Sequence, residues 1–297
     1  MSAAWGPLRR AWRRYRLPIA LAGAVVCVGQ LLYWYSLGAW PLHDTAAFWL
    51  AGVHFRAGQP VYAGSVNYLT MLYAPPWVVV MGVVSLLPFT AVEIGLLAGQ
   101  VLALRFLAGS WLVAAVLGWL PLVPRELATG NMDLVMAAAM LVTCRGGSSW
   151  PTTLLAFAKF TPILTLAAPG VRRVEAVGAA VVLLAMTLPW LHLWPEWLDL
   201  MARAQHDVSI TVPLLPRLAV ALLLLAYRRP WSVAAAAVTA IPGFYFHTPV
   251  LYLAAGRLLW DDWETEKAIA RHRAGALGRL ARQRLGARTS TEPPSSR

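Results

Sequence analysis

The stretch Leu17–Leu37, LPIALAGAVVCVGQLLYWYSL, decides what kind of protein this is. It runs for 21 residues without a charged side chain, and about 20 apolar residues at 1.5 Å per residue cross a bilayer core. Arg9, Arg10, Arg13, Arg14 and Arg16 stand directly before it. No convincing small-residue cleavage site follows, so the stretch reads as an uncleaved signal-anchor helix and not a removable leader. A basic flank of this kind stays on the cytoplasmic side, beside anionic lipid.

The rest of the chain continues the pattern. Its 297 residues are 59% hydrophobic and only 13% charged, with a mean hydropathy of +0.60. A soluble domain is about 45–50% apolar and about 25% charged, so an ordinary cytosolic enzyme is excluded, as is a disordered chain. Further apolar runs lie near 74–90, 92–109, 111–127, 131–143, 151–169, 174–191, 213–227, 231–242 and 245–260. The expected fold class is therefore an all-α polytopic membrane protein with about ten transmembrane or re-entrant helices. Several runs are too short for a full crossing, and broken helices are expected where the backbone lines a polar cavity.

The net charge of +12 is distributed as a membrane protein distributes it. Arginines gather at both chain ends, and Lys267 to Arg288 holds seven basic residues and no acid. With the N-terminus inside, ten crossings return the C-terminus to the cytoplasm. Segments 38–73 and 192–212 then lie outside, and Arg172-Arg173 and Arg228-Arg229 inside. This gives a cytoplasmic basic segment 1–16, a membrane domain 17–260 and a basic cytoplasmic tail 261–297. The tail is expected to be helical over 264–285 and disordered over its Ser/Thr/Pro-rich end, 286–297. No nucleic-acid partner is expected. Within 192–212, Trp194, Trp197, Leu198 and Met201 recur at helical spacing and predict a short helix in the interface plane, with tryptophans at headgroup depth.

In so apolar a chain the polar residues carry the information, because ionisable groups at membrane depth are costly and commonly functional. Asp44 follows the first span and precedes the apolar segment Thr45–Ala57, which Gly58 and Pro60 terminate. That placement fits a helix N-cap and equally a carboxylate presented at the outer surface. Lys159, in Ala158-Lys159-Phe160-Thr161-Pro162, has no opposite charge within a turn. It reads either as the partner of a buried acid such as Asp133 or Glu93, or as a ligand for an anion. Gly130-Asn131-Met132-Asp133 reads as a turn with an Asx cap for the next helix. His247 sits among aromatics before the last run, and Arg217 near the outer end of a span, where it meets a phosphate or snorkels.

Cys27 and Cys144 have no metal-ligand spacing. There is no phosphate-binding glycine loop, no HExxH, no CxxC and no GxSxG, and no DxD pair. No metal and no cofactor are expected, and a nucleotide donor or ATP-driven transport has no support.

Taken in order, the motifs resemble glycosyltransferase family 87, whose members include polyprenol-phosphate-mannose-dependent α-mannosyltransferases of actinobacterial lipid glycan synthesis. The resemblance rests on Asp44, then Phe48-Trp49-Leu50-Ala51-Gly52, Gly58-Gln59-Pro60-Val61-Tyr62 and Leu72-Tyr73-Ala74-Pro75-Pro76-Trp77. Leu86-Leu87-Pro88, Gly130-Asn131 and Ala158-Lys159-Phe160-Thr161-Pro162 follow. It is continuous over about 40–165 and weaker at His247. It implies a C-type glycosyltransferase helical bundle with short extracytoplasmic interfacial helices. By the resemblance Asp44 is the catalytic base, and Lys159 and His247 match the family's lysine and histidine. Tyr73 and Asn131, within two of the motifs, are expected with Arg217 to bind substrate.

The implied partners are a polyprenyl-phosphate sugar donor, a lipid or glycan acceptor, and the plasma membrane. The chain would be multi-pass, with both termini cytoplasmic and the site extracytoplasmic. A polyprenyl phosphate leaves as a stable anion and needs nearby positive charge more than a general acid. One carboxylate then suffices for a single inverting displacement, unlike the carboxylate pair of a glycosidase. Two other readings stand beside this one: a non-catalytic lipid-binding or scaffold member of the fold, and a lipid transporter, which would favour inverted repeats that the sequence does not display.

Overall fold

The computed structural model describes residues 5–36, 43–63, 70–204, 213–242 and 248–289. The described residues form thirteen α-helices and no strand. The chain divides into two units, Met1–Arg257 and Leu258–Arg297.

In the first unit, α1 (Trp5–Ser36) carries the deciding stretch. Leu17, Leu21, Val25, Val28 and Leu32 stand exposed at helical spacing, the stripe that would face lipid where α1 crosses a membrane. The opposite side packs on α5 (Trp111–Leu117), which continues through a bend of 94° into α6 (Leu122–Thr129). Small residues set that approach. A Cβ at Gly23 would fall on the Ala115 carbonyl oxygen, and one at Gly118 would come within 2.9 Å of the Gly23 carbonyl. Trp119 then donates from Nε1 to the Ile19 carbonyl at 3.1 Å. Close backbone approach through small residues is how apolar helices associate without a hydrophobic driving force. Gly23→Leu should therefore part α1 from α5 and cost about 1–3 kcal/mol, read as a lower melting temperature of the detergent-solubilised protein. Leu21→Ala, on the lipid stripe, should leave it nearly unchanged.

α2 (His43–Arg56) and α3 (Pro75–Val84) form a second tight pair. Gly52 lies against the Met81 carbonyl, where a Cβ would overlap it. Trp49 Nε1 donates to the Leu87 carbonyl at 3.0 Å and Arg56 Nη1 to the Ser85 carbonyl at 2.9 Å. Pro88 then opens α4 (Phe89–Ala108), which Gly109 closes in the left-handed region at φ 75°. Asp133–Cys144 is α7, Trp150–Ala156 α8, Arg173–Ala185 α9, Leu193–Ala204 α10, Leu214–Ala226 α11 and Pro230–Thr239 α12. Thr161–Ala167, Leu188–Trp190 and Thr248–Leu251 are 3₁₀ segments.

Among the described residues two helical stretches, Arg14–Tyr33 and Phe89–Ala108, are long and apolar enough to cross a membrane, or three if the bent pair α5–α6 counts as one span. The expected runs at 74–90, 131–143, 151–169, 174–191, 213–227 and 231–242 appear as helices of 7–13 residues, several with proline in the first turn, while 245–260 leads into the 38-residue α13. Proline at N1 starts a helix well but cannot continue one from the preceding turn, so α3, α8 and α12 begin afresh and stay shorter than a bilayer. Strict alternation of ten crossings also fails in one place. It would set the 127–131 turn on the face opposite Asp44, yet Thr45 Oγ1, beside Asp44, donates to the Gly130 carbonyl at 3.3 Å.

The expected interfacial helix is α10, with a different buried stripe. Leu193, Trp197, Leu200 and Ala204 are buried, whereas Leu198 is 59% exposed. Trp197 turns into protein because the irregular segment before α3 leaves carbonyls to satisfy: its Nε1 donates to Leu72 O at 3.1 Å, and its ring lies 5.6 Å from that of Phe160. The end of segment 192–212, from 205 to 212, lies outside the described residues.

The second unit is the continuation of α13 (Tyr252–Thr289). Lys267 pairs with Glu264 at 2.9 Å and lies 4.8 Å from the Trp263 ring centre. The tail helix expected over 264–285 is present and runs on to Thr289, so 286–289 are helical and not disordered; 290–297 lie outside the described residues.

Candidate functional site

The polar residues of the sequence reading meet at one place, the turn Gly130–Asp133 between α6 and α7. Gly130 ends α6 at φ 68°, a left-handed C-cap that glycine adopts without strain. Asn131 follows, and its Oδ1 accepts from the Met132 amide at 2.6 Å and from the Tyr73 hydroxyl at 3.3 Å. Gln100 Nε2 donates to the Asn131 carbonyl. Gln100 is fully buried near the middle of α4, so this turn sits at the depth of the middle of a candidate span, not at its end.

The expected Asx cap on α7 is absent, and a side chain from another helix takes its place. Met132, the residue before α7, makes no side-chain cap. Glu126 reaches across from α6 instead, and its Oε1 accepts the Asp133 amide at 2.7 Å. A carboxylate facing the first amide of a helix is favourably placed on the positive end of its dipole. Glu126 is completely buried, and its other oxygen, Oε2, has no partner, nor has Gln100 Oε1. Buried acceptors are normally satisfied, so two bare oxygens flanking one turn mark an exception. The signal was present in the sequence: Glu126 is an acid within the run 111–127, the same kind of anomaly that singled out Lys159.

Lys159 is held by Asp133. Its Nζ lies 2.6 and 2.8 Å from the two carboxylate oxygens, with the two side chains 11% and 0% exposed. Of the two acids named as partners, it is Asp133 and not Glu93. An ammonium has three N–H groups, and these contacts engage two.

Asp44 lies in the first turn of α2, which starts at His43, so the residue is one position inside the helix and is not its N-cap. It is half-buried and close enough to Glu126 to act on it electrostatically. Together with Thr45 on Gly130, this puts the start of α2 against the end of α6.

The segment before α3 closes the other side. Phe48 stacks on Tyr73 at 4.9 Å, the Ala74 amide donates to Phe157 O at 3.0 Å and Trp77 Nε1 to Leu154 O at 3.0 Å. Tyr62, from the Gly58–Tyr62 motif, is buried and donates its hydroxyl to the Tyr73 carbonyl at 2.7 Å. Burial, with the Glu196 carboxylate adding to it, pushes the Tyr62 phenol far above its ordinary value, so it remains a donor at every physiological pH. Tyr62→Phe should loosen this segment by about 1–3 kcal/mol, the cost of a buried carbonyl losing its donor, read as faster proteolysis of 58–74.

Two expected members remain, Arg217 and His247. Arg217 is buried on α11, with Nη1 donating to Ile241 O at 2.6 Å and Nη2 to Pro242 O at 3.1 Å. It ties down the C-terminal end of α12, where three carbonyls left open at a helix end attract the guanidinium. His247 lies outside the described residues. Among the described residues no group of three His, Cys, Asp or Glu side chains is placed to hold a metal ion.

No protein-family model matches this sequence, and neither does any curated protein or solved structure. The family resemblance therefore rests on the order of its short motifs alone.

Proposed function

We propose that this chain is a membrane glycosyltransferase. It would move a sugar, mannose by the family resemblance, from a polyprenyl-phosphate donor to a hydroxyl of a lipid-linked or glycan acceptor at the extracytoplasmic face of the plasma membrane. Its fold would be a lean C-type glycosyltransferase bundle of transmembrane and re-entrant helices with both termini in the cytoplasm. One observation supports the reading most: Asp44, Tyr73, Asn131 and Lys159, from four separated motifs, converge on the 126–133 segment.

In this reading the Asp44 carboxylate takes the proton of the acceptor hydroxyl as that oxygen attacks the anomeric carbon. The bond from that carbon to the phosphate oxygen breaks, and the polyprenyl phosphate departs as an anion. Configuration inverts in the single displacement. Lys159, with one N–H beyond its two contacts with Asp133, faces the phosphate. Asn131 and the bare oxygens of Gln100 and Glu126 are acceptors suited to sugar hydroxyls.

A second reading is favoured by one fact: Lys159 and Arg217 are both engaged by protein groups. A non-catalytic lipid-binding or scaffold member of the fold needs no cation for a leaving phosphate. Mass spectrometry of envelope lipids and glycans separates the two. A deletion strain lacking one hexose, restored by wild type and not by Asp44→Asn, supports transfer. An unchanged glycan profile on deletion sinks it.

A further inference from the structure

We propose that Glu126 is a positioning residue for the Lys159 ammonium: it grips the 130–133 turn at both ends and so sets where the Asp133–Lys159 pair points. The grip uses main chain and side chain together. The Glu126 carbonyl accepts the Gly130 amide at 3.2 Å and the Thr129 hydroxyl at 3.2 Å, which closes α6. Its Oε1 accepts the Asp133 amide at 2.7 Å, which opens α7. Asp133 is the first residue of α7. Its amide therefore has no acceptor within its own helix, and a side chain from outside has to supply one.

Burial makes the link stiff. Glu126 and Asp133 are both wholly buried, and a buried amide that loses its acceptor bears its full desolvation cost. The carboxylate of the same Asp133 holds Lys159 Nζ through both oxygens, at 2.6 and 2.8 Å. An ammonium has three N–H groups, so with two of them on one carboxylate the direction of the third follows Asp133, and Asp133 follows Glu126. Lys159 and Asp133 are near enough to act on the Glu126 carboxyl electrostatically, which places the three groups in one neighbourhood. Glutamine could accept the same amide. Aspartate, one methylene shorter, would fall short of it. What the ammonium then faces rests on the proposed sugar transfer; how it is held does not.

Lysine acylation of the full-length protein in mild detergent tests this. Lys159 and Lys267 are the two lysines of the chain, so labelling by acetic anhydride at fixed pH can be read at each by peptide mass spectrometry, with Lys267 as the reference. Glu126→Asp and Glu126→Ala should raise the rate at Lys159 relative to Lys267 about tenfold, whereas Glu126→Gln should stay within about twofold of wild type. Thr45→Val cuts a different tie to the same turn and should also leave the Lys159 rate near wild type, which sets positioning apart from general loosening. In sugar transfer, Glu126→Asp should show a donor KM about tenfold above that of Glu126→Gln, with kcat changed much less. An unchanged Lys159 rate in folded Glu126→Asp overturns the proposal. So does a rate in Glu126→Gln or Thr45→Val as high as that of Glu126→Asp, or an equal donor KM in the two Glu126 variants of an active enzyme. A wild type that transfers no sugar but gives the expected labelling pattern supports the positioning role and refutes the proposed function alone.

Discussion

Asp44→Asn is expected to lower sugar transfer by about 10²–10⁴-fold, the range a general base contributes, while leaving the protein inserted and folded. Asn stabilises a helix start about as well as Asp at an N-cap. Asp44 lies one residue inside α2, so what the substitution removes from the helix is only the charge on its first turn, worth about 0.3–1 kcal/mol. Rate and stability should therefore separate. The measurement is turnover of a polyprenyl-phosphate sugar by purified protein, with the melting temperature taken in parallel. A fall in kcat at nearly constant KM and melting temperature identifies a group acting in the transition state. Full transfer by the variant would remove Asp44 from the chemistry. Thr45→Val is the companion measurement: it deletes the hydroxyl that ties α2 to Gly130 without touching the carboxylate. It should cost stability of about 1 kcal/mol and much less of the rate.

How far the sequence could be read depended on whether a signal was local. A first helix long and apolar enough to cross a membrane was legible because its length and apolarity are written in one stretch, and α1 carries it. The end of α2 at Gly58 was legible for the same reason: turn chemistry is local. The number of crossings was not. Apolar runs near 74–90 or 151–169 look alike whether they span the bilayer or fold back within it, and only packing decides. Gly52 on Met81 and Trp77 on Leu154 are contacts between distant segments. The site divides along the same line. Asp44, Asn131 and Lys159 could be picked out singly as polar residues out of place, but that Asp133 would hold Lys159 needed the turn at Gly130 to bring α7 against the 3₁₀ segment. Glu126 lies inside an apolar run that reads as a span, so no local pattern places it on the Asp133 amide. Arg217 had the right residue type at the right end of a helix, yet the carbonyls it satisfies belong to α12, which no local pattern names.

The Lys159–Asp133 pair gives the largest expected effect on stability and also decides between the two functional readings. Both side chains are nearly or wholly removed from solvent. Deleting one partner leaves the other as an uncompensated buried charge, which costs about 3–5 kcal/mol. Lys159→Met should be the more damaging single change. Asp133 then loses the ammonium at zero exposure, with Glu126 close by as a second carboxyl. Replacing both, Lys159→Met with Asp133→Leu, removes the charges together. Since a buried ion pair is often no more stabilising than apolar groups of similar volume, the double variant should recover most of the melting temperature lost by Lys159→Met. That recovery turns a stability measurement into a functional one. A refolded double variant that still transfers sugar would mean the pair only fixes the 130–133 turn, and the phosphate must be held by other groups. A refolded double variant whose donor KM rises tenfold or more, with intact secondary structure, would mean the ammonium itself faces the donor. If the double variant is as unstable as Lys159→Met, the two residues do not act as a pair, and the geometry on which both readings depend is wrong.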